Sequence, residues 1–220
     1  NKSSVLVGDF LFSRSFELMV EDGSLDVLAI LSRASSVIAE GEVLQLMTAN
    51  DTETDENDYL EVIRSKTAKL FAAAAEIGAV VADRPMQERE ALRMFGHNLG
   101  MAFQLVDDVL DYSAHQATLG KTVGDDFREG KITLPVVLAF RTADDRGRTF
   151  WRRTLEDLDQ KKGDFKRAVG LLERSGALAS TLDRAACYGA KARSALDHFP
   201  EGAMRAALAE SVEFTVRRAH

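Results

Sequence analysis

Phe103-Gln104-Leu105-Val106-Asp107-Asp108-Val109-Leu110-Asp111-Tyr112 is the stretch on which the fold and the chemistry of this chain turn. On a helix, Asp107 and Asp111 stand four residues apart and Asp108 and Asp111 three, so the carboxylates share a face, with Gln104 on the same stripe. Leu105, Val106, Val109 and Leu110 give the other faces apolar side chains. Like charges on one stripe cost a helix a few tenths of a kcal/mol per pair. A solvated acidic face is the simplest alternative. The segment lies near the carboxyl end of its helix, however, where the macrodipole disfavours anions. A hard cation with oxygen ligands relieves the repulsion, which makes Asp107, Asp108 and Asp111 candidate metal ligands and magnesium the candidate ion.

Downstream, Gly120-Lys121-Thr122-Val123-Gly124-Asp125-Asp126-Phe127-Arg128-Glu129-Gly130-Lys131 carries two lysines, each beside a glycine that lets backbone approach a ligand. An ammonium is a compact point charge suited to phosphate oxygens, so beside the aspartates this loop reads as a phosphate clamp or lid. By itself it reads as solvated surface. Upstream, Lys66-Thr67 falls in mid-helix, and the alanine run Ala72 to Ala75 after it implies a closely packed neighbour. Lys66 can then reach a shared cavity, although spacing leaves surface decoration open. Gly41, between Glu40 and Glu42, suggests a close helix crossing. The four histidines show no metal-ligand spacing and no nucleophile motif is present. Trp151 reads as a packing residue and Cys187 as a small buried one.

Helical periodicity organises the rest. Segments from Ser3 to about Glu21, from a Ser24 cap to about Thr48, from Asp55 to about Val81 and from Pro85 to about Tyr112 read as long helices. Ser113 to Gly130 is irregular, and a loop of that length is more often functional than idle. A helix opens at Lys131-Ile132-Thr133-Leu134-Pro135, Asp144 to Arg148 reads as an exposed charged turn, and shorter helices follow near 148–159, 164–174, 177–198 and 201–218. The fold class is all-α, a single helical domain over 1–220.

Composition narrows the function. The chain has 45% hydrophobic and 29% charged residues and three prolines, as suits a helical globular protein. A net charge of −7 offers no basic stripe for nucleic acid. One cysteine excludes an intrachain disulfide, as expected of a reducing, cytoplasmic setting. No apolar run approaches the roughly 20 residues of a membrane span.

Together these segments resemble the trans-polyprenyl diphosphate synthases nearly end to end. The likeness matches the family's second aspartate-rich motif to Asp107-Asp108-Val109-Leu110-Asp111 after Phe103-Gln104, and its lysine-threonine motif to Lys66-Thr67. Its following loop matches Gly120-Lys121 and Gly130-Lys131-Ile132-Thr133-Leu134-Pro135, and Gly8-Asp9-Phe10-Leu11 resembles the stretch after its first motif. The resemblance implies an isoprenoid-synthase bundle of long helices, usually a homodimer, joining isopentenyl diphosphate to an allylic diphosphate with Mg2+. It implies that Asp107, Asp108 and Asp111 hold metal and that Lys66, Lys121 and Lys131 grip the allylic diphosphate. Thr67 and Gln104 would lend hydrogen bonds. The wording from Val5 to Arg14 and from Gly41 to Leu46 is most similar to bacterial long-chain members that make octaprenyl to decaprenyl tails for quinones.

One departure is large. The family's first aspartate-rich motif and its arginine pair have no counterpart in these 220 residues. Asp51 to Asp58 has the wrong spacing, Asp125-Asp126 lies in the lid, and Asp144-Asp145 lacks the arginines. With no initial methionine and an abrupt apolar start at Val5, the expectation is a natural protein that is longer, with the amino-terminal helices of the bundle upstream, and a chain inactive alone. The alternatives are a non-catalytic subunit of a heteromeric synthase and, more distantly, a terpene cyclase.

Overall fold

The computed structural model describes residues 2–113 and 123–218, and among them every regular element is a helix. Helix α1 spans Lys2–Asp22, α2 Leu25–Thr48, α3 Glu56–Ile63, α4 Lys69–Val81 and α5 Met86–Leu110. The short α6 (Asp125–Arg128) precedes α7 (Leu134–Thr142), α8 (Asp145–Trp151), α9 (Asp164–Arg174), α10 (Ala177–Ala195) and α11 (Ala203–Arg217).

The starts follow local chemistry. The Ser24 side chain accepts from the Val27 N–H, as the expected cap should, and Asp55, where helix was expected to resume, accepts from the N–H groups of Asn57 and Asp58. Asp144 does the same for Gly147. The stretch expected to be a charged turn is therefore a cap plus the first turn of α8, because an aspartate at that position starts a helix as readily as it decorates a loop. The region expected to be irregular likewise contains α6.

Helix α5 is the axis, packed along α4 on one side and α10 on the other. Its contact with α4 is closer than side chains allow. A Cβ at Gly96 would stand 2.9 Å from the Ala72 Cα, so small residues on both helices set the spacing. Gly41 does this for α2, where a Cβ would meet the Lys66 amide nitrogen at 2.8 Å. The expected crossing is there. Between α3 and α4 the chain takes one π-helical turn, Arg64–Ala68, a local widening often found at functional sites. Lys66-Thr67 sits on that turn rather than on a regular helix.

Beneath this end of the bundle, Tyr59, Ile63, Met101, Leu105, Val106 and Leu134 form one core cluster. A second, around Trp151, Phe127, Phe140 and Leu172, secures α6 to α9, and a third around Phe95, Leu196 and Val212 secures α11. Trp151 is fully buried, as expected. Cys187 is exposed on α10, contrary to expectation, because it lies on the face of that helix opposite the buried Ala185 and Gly189. No described helix is long and apolar enough to cross a membrane.

Candidate functional site

At the carboxyl end of α5, one polar pocket is lined by Lys66 and Thr67 from the π-helical turn, Gln104, Asp107 and Asp108 from α5, Asp126 from α6 and Lys131. Gln45 of α2 and Tyr59 of α3 close it. Its volume of about 150 Å3 is ample for water, which needs roughly 10–15 Å3 of such space.

The lysines enter already paired. Lys66 donates to the Gln45 carboxamide oxygen at 2.6 Å and meets the Glu42 carboxylate at 3.0 Å. Lys131 donates to Asp126 at 2.9 Å and stands 2.9 Å from a Glu129 oxygen. Burial alone lowers the Lys131 pKa, but the two carboxylates outweigh it and hold the group above its ordinary value. Both ammonium groups are partly exposed, positioned to exchange an acid for a phosphate.

The three aspartates divide. Asp107 faces the pocket, half-buried. Asp108 is only 2% exposed, accepting from Gln104 Nε2 at 2.8 Å and from the Tyr59 hydroxyl. Burial pushes its pKa up to about 7, the two hydrogen bonds opposing and neighbouring Asp126 and Asp107 adding to the rise. Asp111 turns elsewhere. It caps α5 and accepts from the Asp125 and Asp126 N–H groups at 3.2 and 3.1 Å, so its carboxylate tethers α6. Its pKa is raised first by burial and then by Asp126, with the backbone donors opposing.

Thr67 donates to Gln104 Oε1 at 3.0 Å, completing the set Lys66, Thr67, Gln104, Asp107, Asp108 and Lys131 around one pocket. Asp111 borders it without lining it, and Lys121 lies outside the described residues. Sequence reasoning missed Tyr59, Gln45 and Asp126 as site residues and left Glu42 open. Tyr59 shares a stripe with Val62 and Ile63, so its spacing signals core. Asp126 was visible beside Lys131 but was weighed only as a substitute motif.

Among the described residues no group of three or more acidic, histidine or cysteine side chains is gathered tightly enough to hold a metal. The donor chemistry nonetheless suits one. Asp107, Asp108 and Asp126 line the pocket against two lysines that acids already engage, an excess of negative charge in a half-buried space. Oxygen donors of this kind favour a hard divalent ion.

Comparison with known proteins shows the family. A family model described as polyprenyl synthetase matches residues 1–172. The octaprenyl diphosphate synthase of Haemophilus influenzae is 42% identical over 99% of this chain and 66% of its own length. A polyprenyl synthase structure from Caulobacter crescentus, complexed with calcium and isoprenyl diphosphate, is 55% identical and superposes with a TM-score of 0.95 over 99% of this chain and 66% of that one. The decaprenyl diphosphate synthase structure from Rhodobacter capsulatus is 47% identical with a TM-score of 0.94, over 100% of this chain and 68% of that one. The chain thus spans about two thirds of the length of the relatives it matches. It is all-helical and belongs to the polyprenyl synthetase family.

Proposed function

We propose that the whole protein is a trans-polyprenyl diphosphate synthase, joining isopentenyl diphosphate to an allylic diphosphate to build long all-trans chains of the kind used as quinone tails. One observation carries this reading. Lys66 and Lys131 line a single pocket together with Asp107 and Asp108 at the aspartate-bearing end of α5. When the allylic C–O bond breaks, negative charge grows on the departing diphosphate, and fixed cations in a partly dry pocket stabilise it most at that moment. Lys66 and Lys131 fill this role by releasing Glu42 and Asp126 and taking phosphate oxygens, with Lys121 assigned to the same group by the family likeness. The double bond of isopentenyl diphosphate then attacks the allylic carbon, and loss of a proton restores an allylic diphosphate one unit longer. Asp107, backed by Asp108 and bordered by Asp111, would hold Mg2+, which when bound supplies positive charge to the diphosphate. The calcium and isoprenyl diphosphate of the Caulobacter relative support the pairing of divalent ion and prenyl substrate.

The test is elongation of farnesyl diphosphate with labelled isopentenyl diphosphate and Mg2+ by the full-length protein, read by chromatography of the extracted products. Long-chain product is expected from the parent, and at least a hundredfold less from Asp107→Ala, the order of loss seen when one stabilising group is removed. No elongation by the parent would sink the proposal. The 220-residue chain, with one aspartate-rich set, is expected to turn over little, and robust product from it would overturn that. A homodimer is also proposed on the exposed Val5, Leu6, Phe10 and Leu11 of α1, to be checked by sedimentation.

A further inference from the structure

Among the buried polar groups of the pocket with no task in the scheme above is the Tyr59 phenol. Tyr59 is 5% exposed on α3, and its hydroxyl donates to Asp108 Oδ2. The other Asp108 oxygen accepts from Gln104 Nε2 at 2.8 Å, and Gln104 Oε1 accepts from the Thr67 hydroxyl at 3.0 Å. These four side chains form one continuous hydrogen-bonded relay across α3, α5 and the π-helical turn.

Its polarity follows from elementary donor and acceptor counts. In its ionised form the Asp108 carboxylate offers only acceptors, so both of its neighbours must then present hydrogens. A flipped Gln104 would set its oxygen against the carboxylate, two acceptors face to face. Gln104 Oε1 therefore points at Thr67, and Thr67 must give it the single hydroxyl hydrogen. Thr67 then has only lone pairs left, while one Gln104 N–H has no partner among the described residues. The relay therefore leaves that N–H for a phosphate, beside the lysine ammonium groups and the Thr54 and Thr133 hydroxyls that also line the pocket, and Thr67 serves by orienting Gln104.

We infer that Tyr59 is a positioning residue that anchors Asp108, fixes the polarity of the Tyr59–Asp108–Gln104–Thr67 relay, and so aims the remaining Gln104 N–H while tying the Lys66-bearing turn to the aspartate end of α5. The inference rests on the diphosphate-binding role proposed above. Tyr59 and Thr67 are eight residues apart, with no hydrogen bond between them among the described residues, so any coupling between them runs through Asp108 and Gln104.

The test is calorimetric binding of inorganic diphosphate, in excess Mg2+, to the full-length parent, Tyr59→Phe, Thr67→Val and the double variant. Each single change is expected to weaken binding about threefold to tenfold, the usual scale of one lost hydrogen bond. The double variant is expected to be little worse than the weaker single, because both break the same relay. Unchanged binding by Tyr59→Phe, or a double variant that loses the full product of the two effects, overturns the relay. Should Tyr59→Phe not fold, Thr67→Ser against Thr67→Val reads it from the other end. Parent-like binding by the serine variant and weakened binding by the valine one are expected, and equal binding by both overturns it. A parent that binds no magnesium diphosphate defeats the functional reading and this inference together. A binding parent with unaffected variants defeats the inference alone.

Discussion

Helices α1 and α5 have similar lengths, 21 and 25 residues, and both recur in apolar residues at helical spacing. They end up in opposite surroundings. Helix α5 buries residues from Ala91 to Leu110 between α4 and α10, whereas Met19 is the one buried residue of α1, whose Val5, Leu6, Phe10, Leu11 and Phe12 are exposed. Periodicity specifies that a helix forms and which face is apolar, and says nothing of what covers that face. The contrast also explains why chemistry sits on α5. A carboxylate on an exposed helix costs little, whereas one buried as Asp108 is persists only with dedicated hydrogen bonds.

The sharpest way to break this contrast is to cut the same side chain on each helix. Leu105→Ala in α5 is expected to cost about 2–5 kcal/mol in chemical denaturation, as a fully buried leucine should. A loss under 1 kcal/mol would mean the α5 core is looser than its packing. A second probe uses acidity. In metal-free protein with chelator, Asp108 holds its proton to about pH 7, against an unfolded value near 4. The folded state binds the extra proton in that window, so this contribution to stability is full below about pH 4 and is lost as pH rises through about 7. Thermal melts across that range should slope accordingly, by up to a few kcal/mol, and Asp108→Asn should flatten the slope. An equally steep slope in Asp108→Asn would assign it to other groups.

Smaller effects complete the series. Ser24→Ala, which removes the cap of α2, should cost about 1 kcal/mol, and no change in the melting midpoint would show that the cap is replaced by water. Leu11→Ala on α1 should fall within about 0.5 kcal/mol in protein diluted to the monomer, where the proposed dimer contact is absent. A loss there as large as that of Leu105→Ala would show that the α1 stripe is covered in solution and would erase the contrast.

Much of this was legible because local chemistry speaks in sequence. Ser24 and Asp55 mark helix starts, Gly41 marks the crossing over Lys66, and the stripe from Gln104 to Asp108 carries its own spacing. What stayed hidden depends on tertiary neighbours. Asp111 obeys the same spacing, yet as the cap of α5 it lies where the helix ends, and two amide donors of α6 turn its carboxylate away. Tyr59 looks like core because most of it is core, and only its oxygen meets Asp108. The exposure of Cys187 depends on which way α10 faces α5, which no period encodes.

The placement of α5 between α4 and α10 also sets an order of events during synthesis. The α4 wall precedes α5 in the chain, but α10 ends at Ala195, 85 residues after Leu110. At ~5–20 residues per second, translation needs ~4–17 seconds to deliver that second wall. For those seconds the nascent chain carries α5 with one flank unshielded, and that flank includes core positions such as Met101 and Leu105 beside Ala185. The interval makes the apolar side of the aspartate helix, and not its acidic end, the surface that a ribosome-associated chaperone would meet first.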